Sequence, residues 1–522
     1  MSVDPISLEV FKHLFASAAE EMGLTLQRAA FSPNIRERLD FSCAIFDADG
    51  RLVAQAAHIP VHLGSMPAAV SAVLSVFQRI EAGDVVILND PYRGGTHLPD
   101  ITMVSGVFVE GNETAQFYVA SRAHHADVGG MSPGSIPLST ELYQEGLIIP
   151  PTKIIARGER QEGLLSLIVA NSRAPQERLG DLEAQLASHR IGEARLQALI
   201  AAHGNARVQG HAAALIDYSR RMTEAVIESI PDGRYTFQDA LEGDGQTERD
   251  LPICATITVQ GRQMTVDFTG TAPQAAGNLN AVEAIVRSAT GYCVRLLATE
   301  DIPVNHGCFA PIQIITPAGS LLQPRFPAAV VIGNTETSQR VVDVVLGALA
   351  QALPDRIPAA SQGTMNNLTL GGMLDGEAFV YYETIGGGHG ASPAGDGLNG
   401  RHVHMTNTRN GPVEALEYVL PIRVREYRLR AHSGGAGRNR GGEGVRRVYE
   451  FLTDAQVTIN SERRLRRPYG LQGGEAGENG HNWLIRGEQI TELGGKVTLR
   501  VQAGDQIAIE TPGGGGWGAV PI

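Results

Sequence analysis

Apolar positions follow two spacings along the chain, and the change from one to the other marks its parts. Leu8, Phe11, Phe15, Ala18 and Met22 recur at helical spacing behind Asp4-Pro5, which predicts a helix over about 6–31. The stretch 34–40 is polar. Short apolar runs at 41–46 and 51–56 flank Asp47-Ala48-Asp49-Gly50, a hairpin turn. His58 and His62 follow, and a second helix starts near Pro67 and runs to about 79. Residues 85–88 read as a buried strand, and 101–108 and 115–120 as two more around Glu110-Gly111-Asn112. The span 129–151 is rich in proline and glycine, the composition of a lid or binding loop. Helices are predicted at 164–170, 176–203 and 206–230. Arg173, Asp181 and Gln185 near the start of the middle one read as a solvated face.

From Gly233 the pattern turns to strands. A hairpin is predicted from 251–259 and 264–268, and helices at 280–298 and 338–353. Asn305-His306-Gly307-Cys308 and Gly333-Asn334-Thr335-Glu336 read as loops. A strand at 378–383 leads into Gly386-Gly387-Gly388-His389-Gly390. Beyond Tyr418 short strands alternate with glycine turns. The expected fold class is α+β (mixed α/β) and multidomain. It divides into an N-terminal α/β region with a metal site (1–160), a helical block (161–232), a central α/β region (233–417) and a C-terminal β-rich domain (418–522).

Length supports that division, since 522 residues exceed one ordinary core. Glycine, at 61 residues, is well above the usual share of about 7%. It points to many turns or to closely packed backbone. A net charge of −13 with no long basic run excludes nucleic acid as a partner. The one basic cluster, Arg463-Arg464-Leu465-Arg466-Arg467, can at most hold an anion. Cys43, Cys254, Cys293 and Cys308 are scattered without metal spacing, so free, mostly buried thiols in a reducing compartment are expected. No secretory signal and no membrane-spanning run is legible, which leaves the cytoplasm as the expected location.

The chemistry concentrates between Asn89 and Asp127. His97 and Asp100 leave the end of one strand across Gly94-Gly95 and Pro99, and Arg122-Ala123-His124-His125-Ala126-Asp127 lies past the end of another. Strands can bring His97, Asp100 and one of the two later histidines to one point, and Asp40, just before a strand, can face the same ends. Two imidazoles with carboxylates suit divalent Mn, Fe or Zn. No G-x-x-x-x-G-K-[ST] loop, no strand-following G-x-G-x-x-G and no G-x-S-x-G elbow occurs, so neither a nucleotide site nor a serine hydrolase is expected. The runs at 386–390 and 434–444 read as turns rather than anion cradles. His389, His402 and His404 read as structural.

These residues carry a resemblance. Arg38-Leu39-Asp40-Phe41-Ser42, Asn89-Asp90-Pro91-Tyr92, Gly95-Thr96-His97-Leu98-Pro99-Asp100 and Ala123-His124-His125-Ala126-Asp127 resemble the hydantoinase B/oxoprolinase family. So do Asp267-Phe268-Thr269-Gly270-Thr271, Gly386 to Gly390, Arg440-Gly441-Gly442 and Thr511-Pro512-Gly513-Gly514-Gly515-Gly516. The resemblance runs over nearly the full length. One departure is His432, where an Asp is expected before Ser433-Gly434-Gly435-Ala436-Gly437.

The resemblance implies a subunit of an ATP-dependent cyclic amidohydrolase that opens a hydantoin, 5-oxoproline or a lactam. A separate A-type subunit with an actin-like ATP-binding fold, holding the nucleotide and its Mg, would phosphorylate the substrate within a hetero-oligomer such as α2β2. A divalent ion here (Mn, Zn or Fe) would fall to Asp40, His97, Asp100 and His124, with His125 the alternative ligand. In a mechanism built on that reading, His125 or Asp127 would move protons, since an ordinary imidazole titrates near neutral pH, and Arg38 or Arg93 would hold phosphate or simply pair with a neighbouring carboxylate. Two rivals are a ketone carboxylase of the acetone or acetophenone type using the same site, and a scaffold that only stabilises the ATP-binding subunit.

Overall fold

The computed structural model describes residues 3–57 and 59–520, so His58 lies outside it. Helix α1 (Pro5–Ala29) starts where expected, with the Asp4 carboxylate accepting from the Ser7 N–H and Pro5 in the first turn. Its buried face carries Phe11, Phe15, Met22 and Leu26. The polar stretch that follows holds an unforeseen single turn, α2 (Pro33–Arg36), capped by Ser32.

Next come β1 (Phe41–Asp47), β2 (Leu52–Ala57), α3 (Met66–Val76), β3 (Val85–Leu88), β4 (Asp100–Val107), β5 (Phe117–His124), β6 (Thr152–Ala156) and β7 (Glu159–Arg160). The seven strands form one antiparallel sheet in the order β2-β1-β5-β4-β3-β6-β7. Strand β5 runs further than its apolar stretch predicts. Ser121 and Arg122 keep it going because both are buried with polar partners: His189 for the serine, Thr102 and Ser65 for the arginine.

Helices α4 (Glu162–Ala170), α5 (Pro175–His203) and α6 (Asn205–Glu228) follow. The expected solvated face of α5 is instead interior. Asp181 and Gln185 are fully buried, Asp181 accepting from the N–H groups of Phe31 and Ser32, and Gln185 from the ring of His125. The helix is wedged against α1, and Gly192 is there because a Cβ would lie 2.4 Å from the Met22 sulfur. A helix with polar groups buried on one side and charges on the other shows little amphipathic signal.

A second sheet, ordered β11-β10-β9-β8, is built from β8 (Gly233–Leu241), β9 (Leu251–Gln260), β10 (Gln263–Asp267) and β11 (Ile312–Ile315). With it come α7 (Glu283–Arg295) and the almost wholly buried α8 (Ser338–Ala352). The expected loop at 333–336 is a turn of π-helix, Gly333–Thr337, that runs straight into α8. In the third sheet β12 (Asn367–Leu374) and β13 (Glu377–Glu383) join Ala455–Asn460 and Lys496–Val501, so strands on both sides of residue 417 share hydrogen bonds. The largest apolar core draws on residues from Ile59 to Met405. The last sheet holds Ile422–Leu429, Val445–Phe451, Gln506–Glu510, His481–Arg486 and Gln489–Leu493. The whole is a mixed helix-and-sheet α+β fold with several sheets.

The glycine runs are neither turns nor cradles. Segments around Gly388, Gly435, Gly442 and Gly514 lie side by side and bond each other: Gly388 N–H to Pro512 O, Gly435 N–H to Gly514 O, Gly442 N–H to His389 O and Gly514 N–H to Gly442 O. A Cβ on Gly441 would sit 1.9 Å from the Gly514 carbonyl oxygen, so only glycine permits the approach. Cys43, Cys293 and Cys308 are buried and all four thiols are free. Among the described residues no helix is long and apolar enough to cross a membrane.

Candidate metal centre

Strand register builds the centre. In the β4–β5 ladder Asp100 stands directly opposite His124, and in the β1–β5 ladder Phe41 stands opposite Ala123. Asp40 is thereby carried to the same end, its carbonyl accepting from the His124 N–H at 3.0 Å. His97 arrives on the turn that enters β4, where the Asp100 N–H donates to the His97 carbonyl (3.1 Å). One ligand atom each from His97, Asp100 and His124 lies within 4.8 Å of the others, and all three residues are buried.

The geometry is tight. Asp100 Oδ1 is 3.0 Å from His97 Nε2 and 3.2 Å from His124 Nδ1, and Oδ2 accepts from the Thr96 hydroxyl at 2.7 Å. His62 Nε2 is 3.5 Å from Oδ2. The Asn334 amide reaches His97 Nε2 (3.0 Å), and His97 Nδ1 donates to the Val331 carbonyl (2.8 Å). The Tyr382 ring stacks on His124 at 4.6 Å, and the Arg38 guanidinium lies over Tyr382. Burial opposes ionisation of Asp100, but the cationic His97 and bonds from His124, His62 and His97 outweigh it and hold the carboxyl well below its usual range. Burial likewise opposes protonation of His97, yet the Asp100 charge raises it; His124 is lowered, chiefly by burial.

This donor set fits a divalent ion. His124 Nε2 and His62 Nε2 are buried without a hydrogen-bond partner among the described residues, and so is Asn334 Oδ1. They border a void of about 20 Å³ that Asp40, His97 and Thr335 also line. That is room for one ion or one water.

The expected assignments divide. His97, Asp100 and His124 come within ligand distance of one another, and Asp40 lines the same void. His125 and Asp127 do not, which corrects their expected part in proton transfer. The His125 ring accepts from Arg178 and donates to Gln185 Oε1 (2.9 Å), and burial together with the Arg178 charge keeps it neutral. What His125 gives the site is its backbone: its N–H holds the Pro99 carbonyl at 2.8 Å. Asp127 is spent on the N–H groups of Gly129, Gly134 and Arg173 and on the Arg173 side chain, tying the loop after β5 to the start of α5. Arg38 cannot hold phosphate either. It is fully buried, and its N–H groups serve Asn34, Tyr382, Thr384, Thr408 and Arg409. Arg93 is exposed and faces Asp90 at 3.5 Å. Sequence reasoning gave no role to His62, Asn334 or Tyr382, which reach the site from distant segments. Their only local trace is a histidine after β2 and a glycine-led loop before a helix.

Glu145 anchors the backbone behind His97. Its Oε1 accepts from Val330 N–H (2.9 Å), Val331 N–H (3.0 Å) and the Ser139 hydroxyl (2.7 Å). Burial pushes this carboxyl up to about 7 from an ordinary 4.5. A carboxyl raised on folding binds its proton more tightly in the native state, so its contribution is full below pH 4.5 and lost as pH rises through about 7. Between pH 5 and 7.5, Glu145→Gln is expected to remove a loss of unfolding free energy on the order of 2–3 kcal/mol that the parent protein shows. Equilibrium denaturation at the two pH values checks this. Equal losses in both proteins would show Glu145 ionised throughout.

The family model described as Hydantoinase B/oxoprolinase matches residues 4–520. The chain is 42% identical to 5-oxoprolinase 1 of Arabidopsis thaliana, over 99% of this chain and 42% of that one. It thus spans about two fifths of the plant protein's length. It is 32% identical to the B-type subunit of a putative D-/L-hydantoinase from a Pseudomonas species, over 99% of this chain and 90% of that one. The crystal structure of the ATP-dependent caprolactamase from Pseudomonas jessenii superposes with a TM-score of 0.94 at 30% identity, covering 100% of this chain and 93% of that one.

Proposed function

This chain belongs to the hydantoinase B/oxoprolinase family, and we propose that it is the subunit in which an ATP-activated cyclic amide is opened by water. The single observation that carries the proposal is the convergence of His97, Asp100 and His124 on a buried, ion-sized void. The Pseudomonas relative, named as one subunit of a hydantoinase, supports a partner subunit, and the lack of a nucleotide loop here supports placing ATP in that partner.

An unstrained amide is a poor electrophile with a poor leaving group. Phosphorylating its oxygen in the partner corrects the first. In this subunit two waters are consumed: the ring C–N bond breaks and the nitrogen takes two protons from water to become an amine, while the carbon keeps two oxygens as a carboxylate and inorganic phosphate leaves. His97, Asp100 and His124, with Asp40 beside them, would hold the divalent ion. When bound, such an ion lowers the pKa of a coordinated water and polarises a phosphoryl or carbonyl oxygen. The chain's own groups prepare that place. The Val331 carbonyl holds His97 Nδ1–H and so orients the ring with Nε2 toward Asp100. His62, with Nδ1 against the Ser42 hydroxyl at 3.0 Å and Nε2 3.5 Å from Asp100 Oδ2, would take the proton-carrying part expected of His125.

Coexpression with an A-type ATP-binding subunit, followed by a screen of hydantoins, 5-oxoproline and lactams with ATP, tests the reading. Ring opening coupled to phosphate release is expected for one ring class. Removing divalent ions with a chelator is expected to abolish it, and Mn, Zn or Fe to restore it. Full turnover by metal-free protein would favour the scaffold, and labelled bicarbonate in the product the carboxylase.

A further inference from the structure

The void at the metal centre, about 20 Å³, is far too small for a ring, so most of the substrate must lie beside it. A cavity of about 680 Å³ adjoins it, within the size range of small-molecule sites. Leu39, held at φ 61°, lines the outer cavity while Asp40 lines the inner void, and Thr408 lines both. We infer that this outer cavity is an oxyanion site in which Arg401 and Arg409 grip the phosphoryl group of the activated substrate, leaving its ring carbon at the void. The inference rests on the function proposed above and adds where the phosphoryl group binds.

Charge favours it. Arg401 and Arg409 line the cavity with no Asp or Glu among its described lining residues, in a chain of net charge −13. Both side chains are exposed and, among the described residues, neither forms an ion pair. His402, also in the lining, is driven down to about 4 by burial and by Arg38, so it is uncharged near neutral pH and the positive charge is that of the two guanidiniums. Guanidinium forks match phosphoryl oxygens in pairs. The segment is also held in place. The Arg409 N–H donates to the Arg38 carbonyl (3.2 Å), and Arg38 Nε donates back to the Arg409 carbonyl (3.3 Å). Arg38 therefore serves the oxyanion at second hand, by fixing the Arg409 backbone beside the segment that carries Asp40.

Calorimetric titration of the whole chain with inorganic phosphate at low salt tests this without turnover. The Arg401→Gln/Arg409→Gln variant is expected to weaken phosphate binding at least about tenfold, since charge-assisted bonds are lost. Arg401→Lys/Arg409→Lys is expected to recover part of it. Asp100→Asn, which spares the outer cavity, should leave phosphate affinity within about twofold, and acetate should compete only weakly. In the complex with its partner, the double Gln variant should raise KM with little change in kcat. Unchanged phosphate binding in that variant, loss of binding in Asp100→Asn, or acetate competing as well as phosphate would each overturn the site. The phosphate titrations do not depend on whether ring opening is the reaction, which the screen above decides separately.

Discussion

Asp100→Asn is expected to lower ring opening by at least about 100-fold while leaving the fold and the association with the partner subunit unchanged. Asp100 faces three imidazoles: Oδ1 lies against His97 and His124, and Oδ2 is 3.5 Å from His62. An amide keeps the shape but brings no negative charge, and one of its two ends presents N–H groups to rings that need an acceptor. Changing a group that only orients a ligand costs about 10–100-fold, so loss of a ligand should cost at least the upper end of that range. Three measurements separate the causes. Metal content by elemental analysis should fall, ring opening should fall with it, and the elution volume of the partner complex should not move. Wild-type turnover with full metal content would remove Asp100 from the chemistry.

Arg463→Ala is expected to destabilise the chain by about 3–5 kcal/mol, the usual cost of stranding one member of a buried ion pair. Arg463 is fully buried and joins Asp239 on β8 (2.7 Å) to Asp343 on α8 (2.6 Å), with Arg340 completing the pair to Asp239 at 2.8 Å. The same network ties the second sheet to the end of the strand Ala455–Asn460. Without Arg463, burial already pushing the Asp343 carboxyl upward is opposed only by Arg340. Asp239 is different. Burial raises it, but Arg340 and Arg463 together hold it well below its usual range, so its contribution is present above pH 3.8 and lost as pH falls below. Equilibrium denaturation reads the loss. The Asp343→Ala/Arg463→Ala double variant should be less damaged than Arg463→Ala, because no charge is stranded. A loss under about 1 kcal/mol for Arg463→Ala would mean that water reaches the network.

Much of the architecture could be read from the chain itself. Period and capping placed α1, and hairpin chemistry at Asp47 to Gly50 placed the first two strands. The chemistry was also legible: a turn with His97 and Asp100, a later pair of histidines, and Asp40 ahead of a strand are local patterns. What they could not say is which histidine counts. His124 and His125 are neighbours in sequence, and neighbours on an extended chain point to opposite sides. Only the pairing of Asp100 with His124 across β4 and β5 chose between them. It also sent His125 to Arg178 and Gln185 on α5.

The misreadings share one cause. Asp181 and Gln185 read as solvated, Arg38 as a phosphate holder and Asp127 as a proton carrier because their partners are distant in sequence, as with Arg38 and Arg409. A polar side chain buried against distant backbone leaves no local signature. The sequence by itself determined the main helices, the strand-rich second half and the family's motif residues. Tertiary structure alone decided which ligands meet, that His62 and Asn334 stand beside them, and that an arginine-lined cavity opens next door. Periodicity reports what one segment buries, whereas a site is set by strand register and by contacts between segments that no short-range pattern encodes.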